Sequence, residues 1–233
     1  MIVYGRNPVR EALRGPRTIE RVWATQRALD AEQWLTEART DIVDGGEIER
    51  LSETSDHQGV CAQVSAYRYA DPGALLAADD ALVVCLDEVQ DPHNLGAVCR
   101  VAESAGASGV VIPERRSAEI TPAACKTSAG AVEHLAVARV PNLANWLTDA
   151  KESGGWIYGA AAEGDVVPYD EPDYRGKVIL VLGSEGRGLR PRVAATCDRL
   201  VALPQRGSVG SLNVSTAAAA LLYGILHFRT AQP

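Results

Sequence analysis

The chain has 233 residues, of which 46% are hydrophobic, and a formal net charge of −7. That suffices for one large domain or two small ones with a proper core, and it excludes a disordered chain and a generic nucleic-acid coat. Five widely spaced cysteines (Cys61, Cys85, Cys99, Cys125 and Cys197) contain no Cys-x-x-Cys pair. This excludes a disulfide framework and a zinc cluster, so no metal is expected, and it reads as buried free thiols in a reducing cytoplasm.

The opening "MIVYGRNPVREALRG" has charges where a signal peptide needs an apolar stretch. Asn7-Pro8 predicts a helix start, with a stop at Gly15. "IERVWA" alternates like a strand, "RALDAEQWLTEA" has helical spacing, and "GVCAQVSAY" reads again as strand. Residues 1–66 are therefore expected to form a small α/β module. Residues 67–80, with a proline, a glycine and three aspartates, read as a linker.

From residue 81 to 233 strand and helix alternate. The predicted strands are 82–87, 109–112, 136–140, 156–161, 178–182 and 200–203. The predicted helices are 95–105, 121–129, 142–153, 191–196 and 213–228. Continuous β-branched runs such as "VVCL" and "VILVL" suit strands covered on both faces, hence a parallel sheet with helices on both sides. Ligands of such sheets sit beyond the carboxyl ends of the strands, which points to the loops after Val89, Leu182 and Leu203. Residues 207–226 carry no charge, but the first nine are largely glycine and polar, so no membrane span is expected.

In the first loop, "LDEVQDPHNLGAVCRVAESAG", Asn94 reads as a helix cap and Arg100 lies six residues further on. Arg100 is either a solvated side chain or a guanidinium aimed at a phosphate. His93 is assigned a turn-stabilising role. The second loop, "LGSEGRGL", has three glycines within six residues, spaced neither as a dinucleotide fingerprint nor as a P-loop. Glu185 between those glycines needs a partner if it points inward. The third, "LPQRGSVGSLNVSTAAAALLY", surrounds Ser211, Leu212 and Asn213 with small residues. Arginines cluster twice against the acidic background, at 6, 10, 14, 17, 21 and 27, and at 187, 190, 192, 199 and 206. Such clusters are solvated faces or phosphate-binding surfaces.

Taken in order, "DPHNLGAVCRVAESAG", "LGSEGRGL" and "LPQRGSVGSLNVSTAAAALLY" resemble the three signature motifs of the SpoU (TrmH-like) branch of the SPOUT RNA methyltransferases. "YGRNPVREAL" and "DHQGVCAQV" resemble the small RNA-binding domain attached to the large-subunit rRNA guanosine 2′-O-ribose methyltransferases of that family. The resemblance implies a deep trefoil knot, S-adenosyl-L-methionine as methyl donor, an RNA substrate (23S rRNA favoured, tRNA possible) and a homodimer.

It places Gly183, Gly188, Leu203, Ser211 and Leu212 at the cofactor. It gives Asn94, Arg100, Glu185, Ser211 and Asn213 to catalysis. Arg6, Asn7 and Arg10 on the small module, with Arg115, Arg116, Arg187 and Arg190 near the cleft, are the expected RNA contacts. Alternatives are the ribosomal site whose methylation confers thiopeptide resistance, a non-catalytic RNA-binding assembly factor, and a nucleotide-dependent oxidoreductase, the last disfavoured by the glycine spacing.

Overall fold

The computed structural model describes residues 1–208 and 210–231. Residues 2–64 build a four-stranded sheet from β1 (Ile2–Tyr4), β2 (Ile19–Ala24), β3 (Asp41–Ile42) and β4 (Val60–Val64), in the order β1-β4-β2-β3. It carries α1 (Arg6–Arg14), α2 (Gln26–Ala31), α3 (Gln33–Glu37) and α4 (Gly45–Ser52). Two local expectations change. Gly5, at φ +93°, takes the cap position of α1, so Asn7 lies exposed inside the helix instead of capping it. The helical stretch 27–38 breaks at the extended Glu32, whose carboxylate accepts hydrogen bonds from Trp34 Nε1 at 2.8 Å and Arg6 Nη1 at 3.2 Å.

The second sheet contains β5 (Leu82–Asp87), β6 (Gly109–Pro113), β7 (Val137–Val140), β8 (Trp156–Ala160), β9 (Val166–Pro168), β10 (Val178–Gly183) and β11 (Arg199–Ala202). Its order is β7-β6-β5-β10-β8-β11-β9, and every neighbouring pair is parallel. The six predicted strands all form, each end within one residue; the short edge strand β9 was not anticipated. The helices are α5 (Pro92–Ser104), α6 (Pro122–Thr127), α7 (Leu143–Glu152), α8 (Pro191–Thr196) and α9 (Val214–Ala231).

Strand alternation sorts the apolar residues between two layers. Leu82, Val84 and Leu86 of β5, with Leu180 and Leu182 of β10, pack against α5 and α9. Val83, Cys85, Ile179 and Val181 face α7 and α8. Both layers are closed, which is why these strands read as unbroken apolar runs. None of the described helices is long and apolar enough to cross a membrane.

The two sheets share one continuous core, in which Val9, Val22 and Val64 of the first join Leu82, Val110 and Leu222 of the second part. Residues 67–80, expected as a linker, are pinned at several points. The Tyr69 hydroxyl accepts from Ile120 N at 3.1 Å, Ala70 bridges to Ala138, and Leu75 and Leu76 are buried. At the junction Arg17 donates to both carboxylate oxygens of Glu133, its Nε lying 2.9 Å from Oε2. Nearby, Glu11 meets His134 Nε2 at 2.9 Å.

Candidate active site

The carboxyl ends of β5, β10 and β11 open on one side of the sheet, and the three loops foreseen there come together. Pro92 occupies the first turn of α5, so the residue before it, Asp91, becomes the cap and accepts from His93 N at 2.8 Å. Asn94 is therefore not the cap. It sits inside the helix, which frees its amide to face the other two loops. Asn94 Nδ2 donates to Glu185 Oε1 at 3.0 Å, Asn213 Nδ2 donates to the same oxygen at 2.7 Å, and Asn94 Oδ1 lies 3.0 Å from Asn213 Nδ2. Asn213 in turn accepts from Ser215 N at 2.8 Å and so caps α9. One residue from each loop closes this triangle.

Beside it lies a cleft of about 540 Å³. Gly183, Gly188, Leu203, Ser211 and Leu212, the residues that the resemblance assigns to a cofactor, all line it, and Leu182, Leu200, Val201 and Leu221 supply an apolar floor. Two glycines are required by shape. A Cβ on Gly183 would overlap the Gly188 carbonyl group, and Gly188 holds φ +65°, where L side chains are disfavoured. The cleft wall also includes residues 160–163, just past β8, which the sequence did not single out. The usable signal was position: that segment also follows the carboxyl end of a central strand. A smaller hollow of about 300 Å³ adjoins the triangle and shares Ser184, Glu185, Arg187 and Val214 with the cleft.

The expected arginines divide. Arg100 is exposed, and Arg115 and Arg187 are exposed too; none of the three has a side-chain hydrogen bond or ion pair among the described residues. Arg100 lies on the open side of α5 and lines neither the cleft nor the adjoining hollow. Arg116, at φ +55°, approaches Glu88 to 3.6 Å. Arg10 pairs with Glu11 at 3.2 Å and Arg6 with Glu32 at 3.2 Å. Arg190 is held by Asp87, a fully buried carboxylate that the sequence reading passed over because its partner is remote in the chain. His93 ties α5 to α6 through Thr127 Oγ1 at 2.9 Å.

Three of the cysteines, Cys61, Cys99 and Cys125, have thiols pushed up to about 11, 12 and 11 by burial. They are poor nucleophiles and stand outside the cleft chemistry. No cluster of metal-ligating side chains occurs among the described residues.

A both-sides-covered parallel sheet, with a backbone-lined cleft at its strand ends and an Asn–Glu–Asn triangle on the rim, defines an open α/β protein with its cleft where such sheets bind ligands. A sequence profile of the SpoU rRNA Methylase family matches residues 81–223, and one for the RNA 2′-O ribose methyltransferase substrate-binding domain matches residues 2–70. The chain belongs to the SpoU rRNA methylase family. It is 39% identical over 241 residues to an uncharacterized tRNA/rRNA methyltransferase of Synechocystis sp., covering 98% of this chain and 62% of that relative, so it spans less than two thirds of the relative's length. It is 39% identical over 240 residues to an uncharacterized tRNA/rRNA methyltransferase of Mycobacterium marinum, covering 97% of this chain and 77% of that one. Among solved structures, the SpoU methyltransferase AviRb of Streptomyces viridochromogenes, crystallised with AdoMet, superposes at a TM-score of 0.84 with 24% identity, over 100% of this chain and 91% of that chain. That likeness fixes the fold.

Proposed function

We propose that this protein transfers a methyl group from S-adenosyl-L-methionine to a ribose 2′-hydroxyl of structured RNA, with a guanosine of 23S rRNA as the favoured target and tRNA as the alternative. The convergence of Asn94, Glu185 and Asn213 beside the cleft carries this reading. The residues fit the cofactor. The glycine-lined wall lets main-chain groups approach an adenosine closely, and the leucine and valine floor suits its apolar faces. S-adenosylmethionine supplies an activated methyl group on a sulfonium; the protein supplies position.

The 2′-hydroxyl is a weak nucleophile and must shed its proton near the transition state. Arginine, with an ordinary pKa above 12, does not take it. We assign Arg100 to the target nucleotide's phosphate, where it orients the hydroxyl while a phosphate oxygen or water receives the proton; such positioning supplies several kcal/mol of a barrier. Its exposed, partnerless side chain suits that role. Asn94, Glu185, Ser211 and Asn213 then hold cofactor and ribose in register. Asn7, Arg115 and Arg187 are the RNA contacts left free by the fold, with Arg6, Arg10 and Arg116 able to join them only from existing ion pairs.

Residues 2–70 match an RNA 2′-O ribose methyltransferase substrate-binding family, and their resemblance to the small domain attached to large-subunit rRNA methyltransferases is our reason for favouring rRNA over tRNA. We also read the return of α9 against α5 as part of a trefoil knot. We read α9 as half of a homodimer interface: its outward stripe of Thr216, Ala220, Tyr223, His227 and Thr230 is exposed and carries no carboxylate or lysine. A cytoplasmic location follows from an RNA substrate.

The test is ribose-methylation mapping on 23S rRNA and tRNA incubated with the protein and methyl donor. Wild type modifies one ribose; Arg100→Ala abolishes turnover while calorimetric binding of S-adenosylmethionine persists. Absence of methylation on both RNAs refutes the activity, and a fully active Arg100→Ala protein refutes the role of Arg100.

A further inference from the structure

Asp87 ends β5 and is completely buried, yet no step of the proposed reaction uses it. Its carboxylate receives two hydrogen bonds and an ion pair from a single residue 103 positions away. Arg190 N donates to Oδ2 at 2.8 Å and Arg190 Nε to Oδ1 at 2.7 Å, while Nη2 approaches Oδ1 to 2.6 Å. Backbone and side chain of Arg190 are thus held together by one group. Asp87 is also the register partner of Gly183, the last residue of β10.

The loop Ser184–Leu189 therefore leaves the sheet beside Asp87 and returns to it. The ring is drawn tight by the Gly188 N to Ser184 O bond at 2.9 Å and by the close approach of Gly183 to Gly188. Glu88, held at φ +59°, adds a second carboxylate 3.4 Å from Arg190 Nη1. The ring carries Glu185 at its tip and forms one wall of the cleft.

We infer that Asp87 and Arg190 form a clamp that fixes the shape of the Ser184–Leu189 ring, making Arg190 a positioning residue for the cofactor wall and Glu185 rather than an RNA contact. The Arg190 side chain is 42% exposed, but drawing its guanidinium off to a phosphate would leave the fully buried Asp87 carboxylate without its cation, which is the costlier state. Lysine cannot replace the guanidinium, whose Nε meets Asp87 Oδ1 while Nη1 approaches Glu88 Oε1, because a single ammonium cannot hold both carboxylates in that planar geometry. The clamp rests on the proposed methyl-donor site, and the experiment keeps the two separable.

Wild type, Arg190→Lys, Arg190→Ala and Asp87→Asn are compared by calorimetric titration with S-adenosylmethionine and by filter binding to rRNA across a salt series, with thermal melting as a check on folding. The clamp predicts that all three variants weaken cofactor binding about tenfold or more, the usual scale for residues that orient contacting groups. RNA affinity and its salt dependence stay as in wild type, and kcat falls while KM for RNA holds. An RNA-contact role predicts a different pattern: Arg190→Ala loses RNA affinity, with a salt slope shallower by about one, while Arg190→Lys and Asp87→Asn bind cofactor normally. That second pattern overturns the clamp, as do two folded variants with unchanged cofactor affinity. Failure of wild type itself to bind S-adenosylmethionine would instead overturn the proposed function.

Discussion

Glu133→Ala should unfasten the junction between the two sheets. Arg17 and Glu133 side chains are 4% and 1% exposed, and the pair makes two hydrogen bonds. Burial by itself would lower the Arg17 pKa, but the hydrogen bond and charge of Glu133, with Cys125 beside it, hold it above its ordinary value. Once the carboxylate is gone, the guanidinium keeps, among the described residues, the weak sulfur acceptors Met1 Sδ at 3.4 Å and Cys125 Sγ at 3.7 Å, with the Tyr67 ring centroid 5.9 Å from its Cζ. A buried cation stripped of its partner costs about 3–5 kcal/mol, a large part of the roughly 5–15 kcal/mol that holds a domain together. In a chain of this size that is on the order of a 10 °C fall in Tm. Replacing both partners by apolar residues of similar volume, Arg17→Met with Glu133→Leu, removes the stranded charge and should restore the midpoint to within about 1 kcal/mol of wild type. Urea denaturation followed by tryptophan fluorescence measures all three proteins. A Glu133→Ala loss below about 1 kcal/mol, or a double variant no better than the single one, would refute the reasoning.

The acid side of the stability profile should carry a signature of Glu11. Burial raises its pKa, but hydrogen bonds from His134 and Arg10 and the charge of Arg14 outweigh that and hold it below the ordinary carboxylate range. A depressed carboxyl stabilises the fold above that range and loses the contribution as pH falls through its folded pKa, so the wild-type advantage over Glu11→Gln in urea midpoint should be full at pH 6, start to shrink as pH enters the ordinary carboxylate range and vanish only on further acidification. An advantage independent of pH contradicts it. Gly183→Ala places a methyl group on the Gly188 carbonyl and should abolish calorimetric binding of S-adenosylmethionine in a protein that still folds; normal affinity would show that the ring yields.

The sheet was legible because its strands are enclosed. Runs such as Val178–Leu182 announce themselves by composition, whereas β9 at the edge and the two-residue β3 carry too few apolar side chains to stand out. The helix break at Glu32 was hidden, since it depends on what that carboxylate accepts from Trp34 and Arg6. Residues 67–80 looked like a tether because their polar letters outnumber Tyr69, Leu75 and Leu76, which do the packing.

At the site, spacing located Asn94, Glu185 and Asn213 but misassigned the cap: in "DPHN" both Asp91 and Asn94 can cap, and only the proline at the first turn decides between them. Nor can a row of arginines say which are spoken for. Arg190 and Arg115 look alike in sequence, and only the fold reveals a carboxylate waiting 103 residues away for one of them.

The order in which the chain is made gives the cleft a history. Nearly all of its lining comes from residues 160–221, whereas the substrate-binding module ends by residue 70. A chain emerging from the ribosome therefore presents the module matched as substrate-binding before any residue of the cleft has been made. The final helix supplies Val214, Ala217 and Leu221 to the wall, so a chain cut short before it cannot close the cleft at all.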